Sequence, residues 1–206
     1  MKLDEDYKNI VKLRFDNFND LSHAFFNEFY NFILYPETFS EHVFDSFSLK
    51  DTLYYLQKSH LEYLNIWLPK IERIVDEIQQ DIGTNELTLT LNTFLVNYQN
   101  ELSNHINFEE KVLYNFATKL LKGVYVESEK IFVLNHFLET HSHTVEESLL
   151  TIQKRLRNID SKKVKSNLFK TLFSTFNLMY NDLKIHGLIE DEVFINKMQH
   201  YIDKNF

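Results

Sequence analysis

The sequence predicts an all-α protein, an up-down-up-down four-helix bundle with a short helical N-terminal extension. The chain of 206 residues is long enough for one bundle. Its three glycines and two prolines are too few for the turns of a many-stranded β fold. Apolar residues recur at the helical period through four long segments, and short connections make neighbouring helices antiparallel. We expect residues 1–48 to form the extension and residues 49–206 to form the bundle.

The N-terminal extension contains two apolar segments, at about residues 7–15 and 18–34, and an aromatic-rich connector follows them. We expect one or two helices that pack on the bundle or on a second subunit, which would make the protein a homodimer. The many phenylalanines and tyrosines predict core and interface packing rather than chemistry.

The first two bundle helices are expected at about residues 49–81 and 86–122, the second ending at Gly123. Pro69 should remove a backbone hydrogen bond and kink the first helix near its middle. Their apolar stripes contain Leu53, Leu56, His60, Leu64, Trp67, Ile71 and Ile78 in the first helix, and Leu91, Leu95, Tyr98, Leu102, His105, Glu109, Leu113 and Phe116 in the second.

The third helix is expected at about residues 128–158, from a capping-box-like Ser128, and the fourth at about 161–201. Their apolar stripes contain Leu134, Leu138, His141, Val145, Leu149 and Ile152 in the third helix, and Leu172, Phe176, Met179, Leu183, His186, Glu190, Phe194 and Met198 in the fourth.

Composition excludes several classes of function. A formal net charge of −8 argues against nucleic-acid binding, which needs clustered Lys and Arg. No apolar stretch reaches the roughly 20 residues of a membrane span, and the acidic first residues do not resemble a signal peptide. We therefore expect a cytoplasmic protein without a membrane partner. The absence of cysteine excludes disulfides, thiolate ligands and cysteine nucleophiles.

Candidate metal ligands replace apolar residues on these stripes in the repeated order His…His-x-x-x-Glu. They are His60, His105, Glu109, His141, His186 and Glu190. The two histidines of each half are 45 residues apart, and positions equidistant from a loop of an antiparallel bundle lie at the same height. Buried carboxylates without a cation would cost several kcal/mol. Imidazole with carboxylate and no sulfur suits iron or manganese, and zinc less specifically, so the pattern predicts a non-haem di-iron site.

Helical phase decides between neighbouring candidates. His143 and Glu147 form a third His-x-x-x-Glu pair, but they point away from the stripe, so we expect them at the surface and His141 in the site. One residue beyond the proposed carboxylates lie Glu110 and Asp191. Asp191 is an alternative to Glu190, which we prefer because it keeps the two halves equivalent.

Residues 49–201 resemble a hemerythrin-like cation-binding domain, and within that superfamily the repair-of-iron-centres di-iron proteins. The motifs that carry this resemblance are Ser59-His60 with Leu68-Pro69 downstream, His105-Ile-Asn-Phe-Glu109, Thr140-His141-Ser142 and His186-Gly-Leu-Ile-Glu190. The resemblance implies two irons held by the six candidate ligands, with the glutamates bridging. It also implies a role in the stress response, through repair of damaged iron–sulfur proteins or through nitric oxide or oxygen chemistry.

Two departures from the family pattern affect this expectation. Oxygen-carrying hemerythrins have a fifth histidine one turn after the third-helix ligand, where this chain has Val145. An open coordination position favours redox or small-molecule chemistry over reversible oxygen binding, storage or sensing, which is the alternative function. The repair proteins often carry an N-terminal cysteine motif, and its absence here excludes a thiol mechanism. A metal-free helical interaction protein is a third hypothesis.

Overall fold

The computed structural model describes residues 2–16, 18, 23–124, 126–140, 144–158 and 167–206, and this part of the chain contains helices but no strand. The all-α prediction is therefore confirmed for these residues. The α-helices are α1 (Lys2–Leu13), α2 (His23–Leu34), α3 (Leu49–Glu62), α4 (Leu68–Ile82), α5 (Glu86–Glu109), α6 (Asn115–Leu121), α7 (Glu127–Thr140), α8 (Thr144–Arg157), α9 (Asn167–Leu188) and α10 (Ile195–Asn205). Short 3₁₀ turns occupy Pro36–Thr38 and Glu41–Phe44.

Three π-helical turns join pairs of these helices into long continuous rods. Tyr63–Trp67 joins α3 to α4, Glu110–Tyr114 joins α5 to α6, and Ile189–Phe194 joins α9 to α10. The first two rods agree with the predicted segments to within one residue. The last rod continues to Asn205, and its predicted start near residue 161 lies outside the described residues.

Local chemistry explains where several rods begin and end. Ser48 and Asp51 form a capping box at the start of α3, since each side chain accepts a hydrogen bond from the backbone N–H of the other. Gly83 ends α4 with a φ of 72°, which favours glycine. Helix α7 begins at Glu127, one residue before the expected start at Ser128, and the carbonyl of Val126 accepts the first helical hydrogen bonds.

Pro69 is the second residue of α4, and this helix directly follows the first π-helical turn. The helix is locally wider just before the proline, and the kink at Pro69 stays a prediction. A π turn changes the backbone hydrogen-bond pattern before the proline, whose missing N–H and ring conflict with a regular α-helix at this point.

The helices bury the predicted apolar stripes against one another. Helix α4 contacts α5, α5 contacts α8, α8 contacts α9 and α9 contacts α4. Stripe residues with described side chains are buried, except Leu64 and His105, which are partly exposed. None of the described helices has the length and apolar character of a membrane span.

The N-terminal extension packs on the same chain. Helix α2 contacts α9, and Phe15, which follows α1, stacks on Tyr55 of α3 with ring centroids 5.2 Å apart. Phe29 of α2 also lies edge-on to Tyr55, at 5.6 Å. The first of the two predicted alternatives, packing on the bundle, is therefore confirmed for the described part of the extension.

Candidate metal centre

Three buried side chains from three different rods converge on one point. His60 on α3, Glu109 on α5 and His186 on α9 each offer a ligand atom within 4.8 Å of the others. The Nε2 atom of His60 lies 3.0 Å from Oε2 of Glu109 and 3.2 Å from Nε2 of His186. All three side chains are at most 4% exposed, so the two imidazoles and the carboxylate are shielded from bulk water.

Outer hydrogen bonds orient both imidazoles toward this point. Nδ1 of His60 lies 3.0 Å from a carboxylate oxygen of Glu110, and Nδ1 of His186 lies 2.9 Å from the hydroxyl of Ser59. The Ser59 hydroxyl is also 2.8 Å from the carbonyl of Leu56, to which it donates its single hydrogen. We therefore assign the Nδ1–H tautomer to His186, with Nδ1–H donating to Ser59 and a lone pair on Nε2. Such outer partners fix the tautomer of histidines that bind metals.

The charges around His60 and His186 favour a positive charge within this group. Burial lowers the pKa of His60, but the carboxylates of Glu109 and Glu110 more than offset this and raise it overall. Burial and the neighbouring His60 hold the pKa of His186 well below its usual value. Neutral His186 thus directs its Nε2 lone pair at Nε2 of His60. A metal ion between them would be bound by two imidazole nitrogens and a carboxylate oxygen, and this donor set fits such an ion.

Of the other predicted ligands, His105 contacts this group through Glu109, and Glu190 is buried outside it. Nε2 of His105 is 2.8 Å from Oε1 of Glu109, so the two oxygens of that carboxylate face histidines of different rods. Glu190 is fully buried in the third π-helical turn. The pKa of Tyr114 is raised well above its usual value by burial and then by the charge of Glu190, which places this carboxylate beside Tyr114.

The remaining predictions concern the third bundle helix and the alternative ligand. His141 and its rejected neighbour His143 lie outside the described residues. Glu147 is exposed, as helical phase predicts for it, and Asp191 is partly exposed where Glu190 is buried.

Within the described residues, each of the three π-helical turns lies next to a predicted ligand or contains one. One begins three residues after His60, one directly follows Glu109, and one contains Glu190. A π turn is rare and often marks a functional site. The apolar periodicity did not indicate these turns.

A buried ion-pair network joins the extension to the rods that carry the histidines. The fully buried guanidinium of Arg14 binds both carboxylate oxygens of Asp182 at 2.6 and 2.5 Å, and its Nε lies 2.7 Å from Glu62. Asp182 is one helical turn before His186, and Glu62 is two residues after His60. The predicted site did not include this network, and the available signal was Asp182, an aspartate on the buried stripe of α9.

A surface cleft lies beside His60, one of the three residues of the group. The cleft has a volume of about 490 Å³ and is lined by Tyr54, Gln57, His60, Leu61 and Glu110, among others. Glu110 also accepts a hydrogen bond from the Gln57 amide at 3.1 Å. The edge of His60 is therefore the part of the group nearest to this cleft.

Comparisons of the chain with protein-family models, with curated proteins and with solved structures found no match. The interpretation of the site rests on its own geometry.

Proposed function

We propose that this chain is a hemerythrin-like di-iron protein of the stress response, folded as an up-down-up-down four-helix bundle. The observation that carries the proposal is the convergence of His60, Glu109 and His186, with each imidazole oriented by an outer hydrogen bond. Surface ion pairs need neither a buried neutral imidazole such as that of His186 nor an outer partner that fixes the tautomer, whereas metal sites use both. Two irons would be held by the six predicted ligands.

Iron bound there would supply redox chemistry and a position for oxygen or nitric oxide. The residues of this chain would orient the irons and exclude bulk water, since the site is buried. The cleft beside His60 gives a small diatomic ligand a short path from the surface. In the proposed role the protein helps to repair damaged iron–sulfur proteins or reacts with nitric oxide.

Two reactions of the iron-loaded protein distinguish this proposal from reversible oxygen binding. We expect protein loaded anaerobically with ferrous iron to be oxidised by oxygen in stopped-flow mixing, and not to regain its starting spectrum under argon. Nitric oxide should give a separate absorption change. A change with oxygen that reverses fully under argon over several cycles would instead indicate an oxygen carrier.

A matched pair of variants ties these reactions to the proposed site. The H60A/H186A variant should show neither reaction, whereas H42A/H200A should react like the parent, because His42 and His200 are exposed. Equal reaction by both variants would contradict the proposal.

A further inference from the structure

We propose that Tyr63 is a positioning residue for His186 and that Arg14 of the N-terminal extension acts on the metal centre through it, an inference that rests on the proposed function. Tyr63 is the first residue of the π-helical turn after α3, and it is buried. Neither Tyr63 nor Arg14 is one of the predicted ligands. Their roles follow from the contacts that join them to α9.

Tyr63 contacts two neighbouring residues on one face of α9. Its ring packs edge to face with the imidazole of His186, with ring centroids 5.7 Å apart and an interplanar angle of 75°. Its hydroxyl donates a hydrogen bond to Oδ1 of Asp182 at 3.4 Å. Asp182 and His186 are four residues apart, and such positions are neighbours on a helix surface. Tyr63 is therefore hydrogen-bonded to one of these residues while its ring packs on the other.

The imidazole of His186 needs a second contact to keep its orientation. The hydrogen bond to Ser59 selects the nitrogen that faces His60, but the ring can still turn about the axis of that single bond. Packing does not prevent this motion on every side, because His186 lines a small cavity of about 10 Å³. Tyr63 lines the same cavity and meets the imidazole in an arrangement that aromatic pairs prefer. The ring of Tyr63 therefore limits the tilt of His186.

Arg14 fixes the carboxylate to which Tyr63 donates. Its Nη1 atom lies 2.6 Å from Oδ1 of Asp182, the same oxygen that accepts the hydrogen bond from Tyr63, and its Nη2 atom lies 2.5 Å from Oδ2. A two-point contact of this kind fixes the plane of a carboxylate as well as its position. The guanidinium carbon of Arg14 also lies 5.6 Å from the centre of the Tyr63 ring. The extension is therefore connected to His186 through Asp182 and Tyr63.

This connection makes the extension a functional part of the site. If the carboxylate of Asp182 shifts, the hydroxyl of Tyr63 follows it and the imidazole loses its edge-to-face contact. Arg14 thereby affects the affinity and the geometry of a bound metal without contacting a ligand. Outer partners of metal-binding histidines act through ligand orientation in this way.

Anaerobic titration with cobalt(II) tests the role of Tyr63, because the visible absorption of this ion depends on the ligand geometry. We expect Y63L, which lacks the ring, to bind Co²⁺ about 10-fold or more weakly than the parent and with an altered absorption band. Y63F keeps the ring but not the hydroxyl, and its affinity should lie between those of Y63L and the parent. Y98L and Y98F are the matched controls, since Tyr98 is a buried tyrosine of α5 whose ring stacks on Phe94. They should change stability but keep the affinity and the spectrum of the parent.

A double-variant cycle tests the role of Arg14. R14K keeps the positive charge, but an ammonium group cannot form the two-point contact with Asp182. We expect R14K to weaken Co²⁺ binding as Y63F does. The variant R14K/Y63F should bind no more weakly than the weaker of its single variants, because both changes interrupt one path. Effects on affinity that multiply in the double variant would mean that Arg14 does not act through Tyr63.

The contrary results differ in what they overturn. If Y63F and, where it folds, Y63L match the parent in affinity and spectrum, Tyr63 does not position His186, while the proposed metal site stands. If Y63L alone differs from the parent, the part of the proposal that concerns Arg14 is wrong. A parent protein that binds neither Co²⁺ nor Fe²⁺ contradicts the proposed function, and this inference fails with it.

Discussion

Ser59 and Glu110 determine which nitrogen of each imidazole faces the centre. Each accepts a hydrogen bond from an Nδ1–H group, so that the Nε2 atoms of His186 and His60 are directed at Glu109 and at each other. Neither residue contacts the convergence point itself. Their effect on a bound cation should act through the orientation and basicity of the histidines.

We expect E110Q to lower the affinity for ferrous iron by about 10- to 100-fold, because a neutral amide is a weaker acceptor for His60 Nδ1–H than a carboxylate. Competition with a chromophoric chelator measures this affinity. E192Q is the control, since Glu192 is exposed on the third π-helical turn. An unchanged affinity in E110Q would show that Glu110 does not orient the ligand.

At the scale of the elements, the buried ion-pair network of Arg14, Asp182 and Glu62 connects the extension to α3 and α9. Tyr55 and Tyr63 add ring faces 5.8 and 5.6 Å from the guanidinium carbon. A buried ion pair need not stabilise a fold more than apolar residues would, but removal of one partner leaves an uncompensated charge.

We therefore expect R14M to lower the free energy of unfolding by about 3–5 kcal/mol. K12M, which changes an exposed lysine on α1, should change it by no more than about 0.5 kcal/mol. The double variant R14M/D182N should lose less than the sum of its single variants, since it removes both members of a pair. Additive losses in urea denaturation would mean that the two side chains are not coupled.

The sequence predicted the rods and their buried faces because apolar periodicity and turn residues are local signals. It also selected His60, Glu109 and His186, since polar residues on an apolar stripe are conspicuous. Arg14 and Asp182 are 168 residues apart, and no local period reports such a contact. The roles of Ser59 and Glu110 depend on side-chain orientation, which spacing alone does not specify.

At the scale of the whole molecule, the rods place polar groups where a bundle normally has apolar ones. Glu109, Glu190, His60 and His186 are all buried within the ring of helices. Buried polar groups of this kind cost stability unless they are paired or bind a ligand. Metal binding to the folded chain should add stability, by about 2.7 kcal/mol when the free metal is at 100 times its dissociation constant.

The iron content of the purified protein is the most direct test of the di-iron site. Protein produced in iron-rich medium and analysed by elemental analysis should contain about two irons per chain, and no other metal in comparable amount. The H60A/H186A variant should retain little iron, while H42A/H200A should retain as much as the parent. Folded parent protein without stoichiometric iron, even after anaerobic loading with ferrous iron, would contradict the di-iron site.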